Sequence, residues 1–231
     1  MMSSNGKKMI ALLTLAGLVA SGCGIIKPTR GRRGDAEHTG FLGDYSQVSE
    51  QEGYAAQEVY INPRASWPKY HAVYIESVSM WIVDESKKPS VEDQQMITDM
   101  LYTSMRAKLG ENFKVVDQPG AGVIKLRFAF TQAKGAMVAL NVVTTVVPQL
   151  RTVSTVGGLG TDTAVLVGAA AMEGEARDSI TNERLAAVVD ARAGTKGITR
   201  AFSKWADVQA ICDHWAERTR VFFVKQGVRQ K

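Results

Sequence analysis

Hydrophobic and polar residues alternate along several stretches of this chain, and the alternation predicts β-strands. In residues 122–132 apolar side chains occupy every second position from Ile124 to Phe130, with charged or small residues between them. A two-residue period sends neighbouring side chains to opposite faces of a sheet, so one face should be apolar and the other partly wet. The predicted strands cover residues 72–78, 113–116, 122–132, 166–177 and 184–192, and the last two form a hairpin around residues 178–183.

The first strand of this hairpin carries Glu173, Glu175 and Arg177 on one face. Alternating charge of this kind is typical of a solvent-exposed strand face, so we expect both glutamates to be exposed. Two carboxylates on one strand face, roughly 6–7 Å apart, could instead suit glycosidase-like chemistry. The pattern favours the exposed face over a catalytic pair.

Helical periodicity occurs in two segments. Ser90 and Asp93 have the spacing of a capping box, and apolar residues then recur at helical spacing before Gly110. A second amphipathic helix is predicted from about Ser203, with an apolar stripe that includes Cys212. Cys212 is therefore expected to be buried and chemically inert.

These elements predict an α+β domain, with a mixed or antiparallel sheet and at least two helices packed on one face. Aromatic residues between positions 41 and 70, among them Phe41, Trp67 and Tyr70, are expected to hold the leading segment against this domain. If they are exposed in a loop, they form a binding surface instead.

The N-terminus has the layout of an export signal. Lys7 and Lys8 precede an apolar stretch over residues 9–20, and Ser21-Gly22-Cys23 follows. The apolar run is about half of the ~20 residues that a membrane-spanning helix needs. The stretch resembles the lipobox of bacterial lipoproteins, although Ala20 stands where leucine is commonest. The resemblance implies cleavage before Cys23 and lipidation of its thiol; the alternative is an ordinary secretory signal.

The chain is accordingly divided into three parts. We expect residues 1–22 to form a lipoprotein signal peptide, residues 23–40 a lipidated N-terminus and flexible tether, and residues 41–231 a single α+β domain. A hydrophobic content of 45% with 22% charged residues is typical of a globular fold. The net charge of +5 is small, and signal cleavage lowers it by two lysines, so a nucleic-acid partner is not expected.

Residues 136–160 are the least regular part of the sequence. They contain two apolar runs, are interrupted by Pro148 and end in a glycine-rich stretch. The segment could pack into the core, form a surface for a partner, or contact a bilayer. The residues of the possible partner surface are Val142, Val143, Val146 and Val147.

The sequence predicts no enzyme, no cofactor and no metal site. It contains three histidines, and it lacks the HExxH, CxxC, GxSxG and P-loop motifs. Asp213 and His214 could act as an acid–base pair only with a third group, and a solvated helix face is the favoured interpretation. Cys23 and Cys212 are the only cysteines, so lipidation of Cys23 leaves no internal disulfide.

Four features together resemble a family of bacterial lipoproteins of unknown function, found mainly in proteobacteria. They are the Cys23 lipobox, the opening from Gly40 to Ser46, Tyr60-Ile61-Asn62-Pro63 with Trp67, and Glu175-Ala176-Arg177-Asp178-Ser179. The resemblance runs over nearly the whole mature chain and carries no catalytic residues with it.

The resemblance implies an envelope protein that is anchored in the membrane by acyl chains on Cys23. Gly24 stands where many lipoproteins retained in the inner membrane carry Asp, which indicates the periplasmic side of the outer membrane. We expect a non-catalytic accessory or assembly factor that binds an envelope protein partner. The alternative is a module that binds lipid or glycan, which a large apolar pocket lined by the Val142–Val147 region would favour; a small-molecule ligand is not expected.

Overall fold

The structure is a computed structural model. It describes residues 32–33, 37–134, 137–138, 165–166, 168–193 and 205–231. The described strands are β1 Arg32–Arg33, β2 Glu58–Ile61, β3 Ala72–Ile75, β4 Ser79–Met80, β5 Lys114–Val116, β6 Val123–Lys134, β7 Met137–Val138, β8 Val165–Leu166, β9 Ala169–Asp178 and β10 Arg184–Ala193. The helices are α1 Val91–Asn112 and α2 Ala206–Gln226, with 3-10 turns at Trp67–Lys69 and Glu85–Lys87.

Within the described residues, eight strands form one mixed sheet. The order is β1-β10-β9-β6-β3-β5, with β2 also paired to β10 and β4 to β6. Strands β5 and β6 both run parallel to β3, and β9 lies antiparallel to both β6 and β10. Two helices cover the sheet, so the predicted α+β class and the predicted hairpin are confirmed.

Helix α1 begins where the sequence predicted. Ser90 is its N-cap, and its side chain accepts a hydrogen bond from the backbone N–H of Asp93. The helix continues past Gly110 to Asn112, because Phe113 rather than the glycine ends it in an extended conformation. The glycine that follows the apolar run therefore does not end the helix.

Both helices pack against one face of the sheet. Apolar side chains from α1 and α2 meet those of β3, β6 and β9 in the main core, which includes Ile97, Leu101, Met105, Ile124, Phe130 and Trp215. Cys212 is fully buried in this core, and burial raises the pKa of its thiol, with a smaller effect from Asp213. The prediction that Cys212 is buried is confirmed.

The opposite face is covered by residues 37–49, which we call the strap. Phe41, Leu42 and Val48 of the strap pack on small and apolar side chains of β6 and β10, including Ala129 and Val189. The aromatic residues near the start of the domain thus do hold the leading segment on the sheet. The strap includes residues 37–40, which the sequence had placed in the tether.

The strap buries the two glutamates that the sequence placed in solvent. Glu173 is 0% exposed and Glu175 is 3% exposed. Glu173 accepts hydrogen bonds from Thr39 N at 2.8 Å and Thr39 Oγ1 at 2.9 Å, and also from the hydroxyl of Tyr45. The prediction of an exposed strand face was wrong, because the charge alternation of β9 does not reveal that a segment about 130 residues earlier covers it.

Glu175 is surrounded by arginines. Arg127 Nη1 lies 2.6 Å, Arg177 Nη2 2.8 Å and Arg184 Nε 3.1 Å from its carboxylate oxygens. Arg184 also donates to the carbonyl oxygens of Leu42 and Asp44 in the strap. Burial raises the pKa of Glu175, but the Arg177 hydrogen bond and the three positive charges outweigh it, so the pKa lies below its ordinary value. These contacts make the cluster a structural ion network.

Strands β7 and β8 extend the β6–β9 ribbon beyond the sheet. Lys134 pairs with Ala169 at the end of the β6–β9 ladder, and Met137 pairs with Leu166 in β7–β8, so the register continues unchanged. The predicted partner-surface residues, Val142, Val143, Val146 and Val147, and the predicted lipidation site, Cys23, lie outside the described residues.

Candidate functional site

An apolar groove lies on the helix-covered face, between α2 and the outer strands β2 and β10. Its volume is about 160 Å³. One wall is the α2 surface from His214 to Lys225, a length of about 16 Å at the rise of an α-helix. The floor comes from β2, β9 and β10, and the loop of residues 53–56 closes one side. The groove includes Val59, Ala176, Ala186, Val188, Trp215 and Phe222.

Small side chains on the sheet make room for this groove. Gly174 and Ala176 of β9 lie next to Val188 and Ala186 of β10, so the floor carries little side-chain volume. A Cβ atom at Gly174 would lie 2.6 Å from a ring carbon of Phe128, which shows how closely that ring packs on the strand. Any larger residue at Gly174 would therefore displace Phe128.

The groove has one polar end, built around a buried ion pair on β10. Asp190 Oδ2 accepts hydrogen bonds from Arg192 Nε at 2.7 Å and from Trp215 Nε1 at 2.8 Å. Asp190 is 1% exposed and Arg192 4% exposed. Because both partners lie in the low-dielectric interior, their geometry is held by this mutual pairing and by the indole of Trp215.

His214 lies at the same end, and its imidazole is half-buried. Burial lowers its pKa, the positive charge of Arg192 lowers it further, and the negative charge of Asp190 opposes these two effects. These effects together lower the pKa of the ring and so favour its neutral form. The interpretation of His214 as part of a solvated helix face was wrong, because α2 turns this residue toward the groove.

Asp213 does not join His214. It is exposed and accepts hydrogen bonds from Ser104 Oγ at 2.7 Å and from Gln209 Nε2 at 2.9 Å, which ties α2 to α1. Successive residues of a helix point about 100° apart, so the two side chains leave α2 in different directions. The hypothetical acid–base pair is not assembled.

The rim of the groove is basic and partly aromatic. Arg192 Nη2 donates to the carbonyl oxygen of Ala55 and so holds the 53–56 loop beside the polar end. At the other end, Lys225 Nζ lies 5.9 Å from the ring centroid of Tyr54. Arg218 and Lys225 are exposed, whereas the floor between them is apolar. The arrangement suits the binding of an elongated apolar molecule better than bond-breaking chemistry.

Among the residues that the structure describes, no helix is long and apolar enough to span a bilayer. In the same part of the chain, no three histidine, cysteine or acidic side chains converge as metal ligands would. Sequence reasoning did not find the groove, since its only trace in the sequence is the run of small residues facing one another across β9 and β10.

The chain belongs to a family described as a protein of unknown function (DUF3313), whose model matches residues 37–219. This establishes membership of an uncharacterised family, as the resemblance of the sequence implied. Cys23 and the rest of the lipobox lie before the matched residues. A comparison with curated proteins found no match.

Several solved structures are partly similar to this chain. A PelC dodecamer from Paraburkholderia phytofirmans is 8% identical, with a TM-score of 0.37 over 69% of this chain and 96% of that one. A minor lipoprotein from Acinetobacter baumannii is 11% identical, with a TM-score of 0.33 over 70% and 98%. Protein XCC0632 from Xanthomonas campestris is 12% identical, with a TM-score of 0.38 over 72% and 91%. Similarities this distant carry no functional conclusion.

Proposed function

We propose that this protein is a non-catalytic envelope lipoprotein whose domain holds the hydrocarbon chain of a lipid in the groove beside α2. The observation that supports the proposal is the groove itself, with its apolar floor and open, basic rim. Of the two functions expected from the sequence, the pocket favours the module that binds lipid or glycan. The apolar lining favours lipid, because sugars need many polar contacts.

The size of the groove fits part of an acyl chain. Its volume of about 160 Å³ is close to that of an engineered protein cavity of about 150 Å³ that binds benzene. A segment of about six carbons therefore fills it, and the rest of a longer chain leaves through the open rim. Arg218 and Lys225 at that rim place positive charge where a lipid headgroup emerges.

Membrane anchoring is the second part of the proposal. Acyl chains on Cys23 hold the domain at the membrane, and Gly24 supports the periplasmic side of the outer membrane as its location. Cys23→Ser should move the protein from the membrane fraction to the soluble fraction after cell lysis. Retention of Cys23→Ser in the membrane would contradict anchoring at this residue.

The groove is tested by native mass spectrometry of the domain purified from the cell envelope. We expect a co-purifying lipid with the unmodified groove and its loss in Ala186→Phe, which fills the floor with a ring. Ala107→Phe, on the exposed surface of α1, is the matched control and should keep the lipid. Binding that survives Ala186→Phe would contradict the groove as the site.

A protein partner is the second candidate, and exposed apolar residues favour it. Trp81 is 46% exposed and Val83 74% exposed on the segment that follows β4. In-cell crosslinking followed by mass spectrometry should then capture one stoichiometric envelope protein. If residues 142–147 form the contact, Val143→Asp with Val146→Asp should abolish that capture and leave the thermal midpoint nearly unchanged. Capture of the chain alone would contradict the partner hypothesis.

A further inference from the structure

Two buried polar atoms at the polar end of the groove have no hydrogen-bond partner among the described residues. They are Asp190 Oδ1 and His214 Nε2. Both residues line the groove, and Asp190 is 1% exposed. A buried carboxylate oxygen without a donor is costly, and native proteins rarely leave one unless something else supplies the bond.

The hydrogen bonds that Asp190 accepts from Arg192 and Trp215 both go to its other oxygen, at 2.7 Å and 2.8 Å. Another nitrogen of Arg192 donates to the carbonyl oxygen of Ala55. Asp190 Oδ1 therefore has no donor among the described residues, and an occupant of the groove that Asp190 lines can supply one.

We propose that this polar end selects an amphiphile with a hydroxyl group beside its hydrocarbon chain. The hydroxyl donates to Asp190 Oδ1 and accepts from His214 Nε2, while the chain lies along the floor formed by Gly174 and Ala186. A hydroxyl is suited to the pair because it is donor and acceptor at once, and a neutral imidazole can present an N–H at Nε2. A carboxylate at the same place would be repelled by Asp190. This inference rests on the proposed function.

The test compares two isomers, of which only one can donate a hydrogen bond. The molecules n-octanol and n-heptyl methyl ether have the same formula, but the ether cannot donate a hydrogen bond. Isothermal titration calorimetry on the domain should show the alcohol binding about tenfold more tightly or better, because the ether leaves Asp190 unpaired. Equal affinities would overturn the inference, since the polar end would then be satisfied by solvent whatever the ligand.

Variants separate the two polar groups. In Asp190→Asn the amide can keep accepting from Arg192 and Trp215 and turn its NH₂ group toward the groove, so the preference for the alcohol should be lost. His214→Leu removes a donor from which either isomer's oxygen can accept, so it should weaken both and leave the preference for the alcohol. It keeps the test informative if Asp190→Asn does not fold. Asp213→Asn, next along α2 and tied to α1, is the control and should keep the full preference.

The outcomes distinguish this inference from the proposed function. If neither isomer binds, and no lipid co-purifies, the groove is not a lipid site and both ideas fail. If both isomers bind equally, the groove takes hydrocarbon chains but the hydroxyl selection fails. An unchanged preference in Asp190→Asn would also overturn the assignment of the hydroxyl to Asp190.

Discussion

The two faces of the sheet are both covered, but the elements that cover them differ. On one face two long helices pack on apolar side chains and leave a groove beside α2. On the other, the strap packs on small residues of β6 and β10, and its polar groups are joined to buried Glu173 and Glu175. The strap is a run of turns rather than a helix, and its side chains pack directly on the small residues of the sheet.

From this difference we expect the strap face to contribute mainly to stability and the groove mainly to binding. The strap face contains carboxylates whose loss leaves buried charges or donors unpaired, so substitutions there should be costly. The groove has open volume, so a substitution that fills it should cost little stability and remove the ligand. The following predictions test that separation, beginning with the largest effect.

Removal of the Glu175 carboxylate should be the most damaging change. Glu175→Ala leaves Arg127, Arg177 and Arg184 without their shared counter-charge, and we expect a loss of about 3 kcal/mol in the free energy of unfolding. Chemical denaturation measures it. Glu111→Ala removes an exposed carboxylate paired with Lys108 and should cost less than about 1 kcal/mol. Equal costs for the two variants would contradict a buried network.

Acid should destabilise the fold through Asp178, which supports the hairpin at the end of β9. Burial raises its pKa, but backbone N–H groups of Thr181 and Ile180, the hydroxyl of Tyr70 and the ammonium of Lys69 outweigh burial and hold the pKa well below its ordinary value. The folded state thus binds this proton less readily than the unfolded state, and stability is lost as pH falls below about 4.

The pH dependence can be measured by thermal unfolding between neutral and acidic pH. Asp178→Asn should flatten the acid limb of the curve, because no proton is then taken up at this position. Tyr70→Phe removes one donor and should flatten it only in part. An unchanged acid limb in Asp178→Asn would show that other carboxylates determine acid stability.

Loss of the Tyr45 hydroxyl should destabilise the packing of the strap on the sheet. Tyr45→Phe removes the donor to Glu173, a carboxylate that is 0% exposed, and should cost about 1.5 kcal/mol in the free energy of unfolding. Tyr74→Phe, at a half-buried position of β3, serves as the control and should cost less. A Tyr45→Phe protein as stable as the unmodified one would mean that solvent replaces the hydroxyl.

The smallest change in stability is expected in the groove. Ala186→Phe should alter the free energy of unfolding by less than about 1 kcal/mol, since the ring enters open volume. Ala129→Phe makes the same substitution under the strap, at a position that is 0% exposed, and should cost about 1–3 kcal/mol. Denaturation midpoints of the two variants give the comparison directly. Equal costs would show that the groove is as tightly packed as the strap face.

Local sequence patterns predicted most of the regular elements. The alternation in 122–132 and the turn before Arg184 determine strands and a hairpin through side-chain period and loop chemistry, which act over a few residues. The Ser90 cap and the burial of Cys212 follow from helical spacing in the same way. Gly110 does not end α1, because tertiary packing at Phe113 outweighs the weak helix-stopping preference of the glycine.

The sequence by itself therefore determined the strands, the helices and the α+β class, because each depends on neighbouring residues along the chain. Only the tertiary structure decided that Glu173 and Glu175 are buried, since the strap that covers them comes from a distant part of the chain. It also decided where the groove lies and that Asp190 meets His214 there. Those features depend on how α2 is placed over the outer strands, and no local pattern of residues determines that placement.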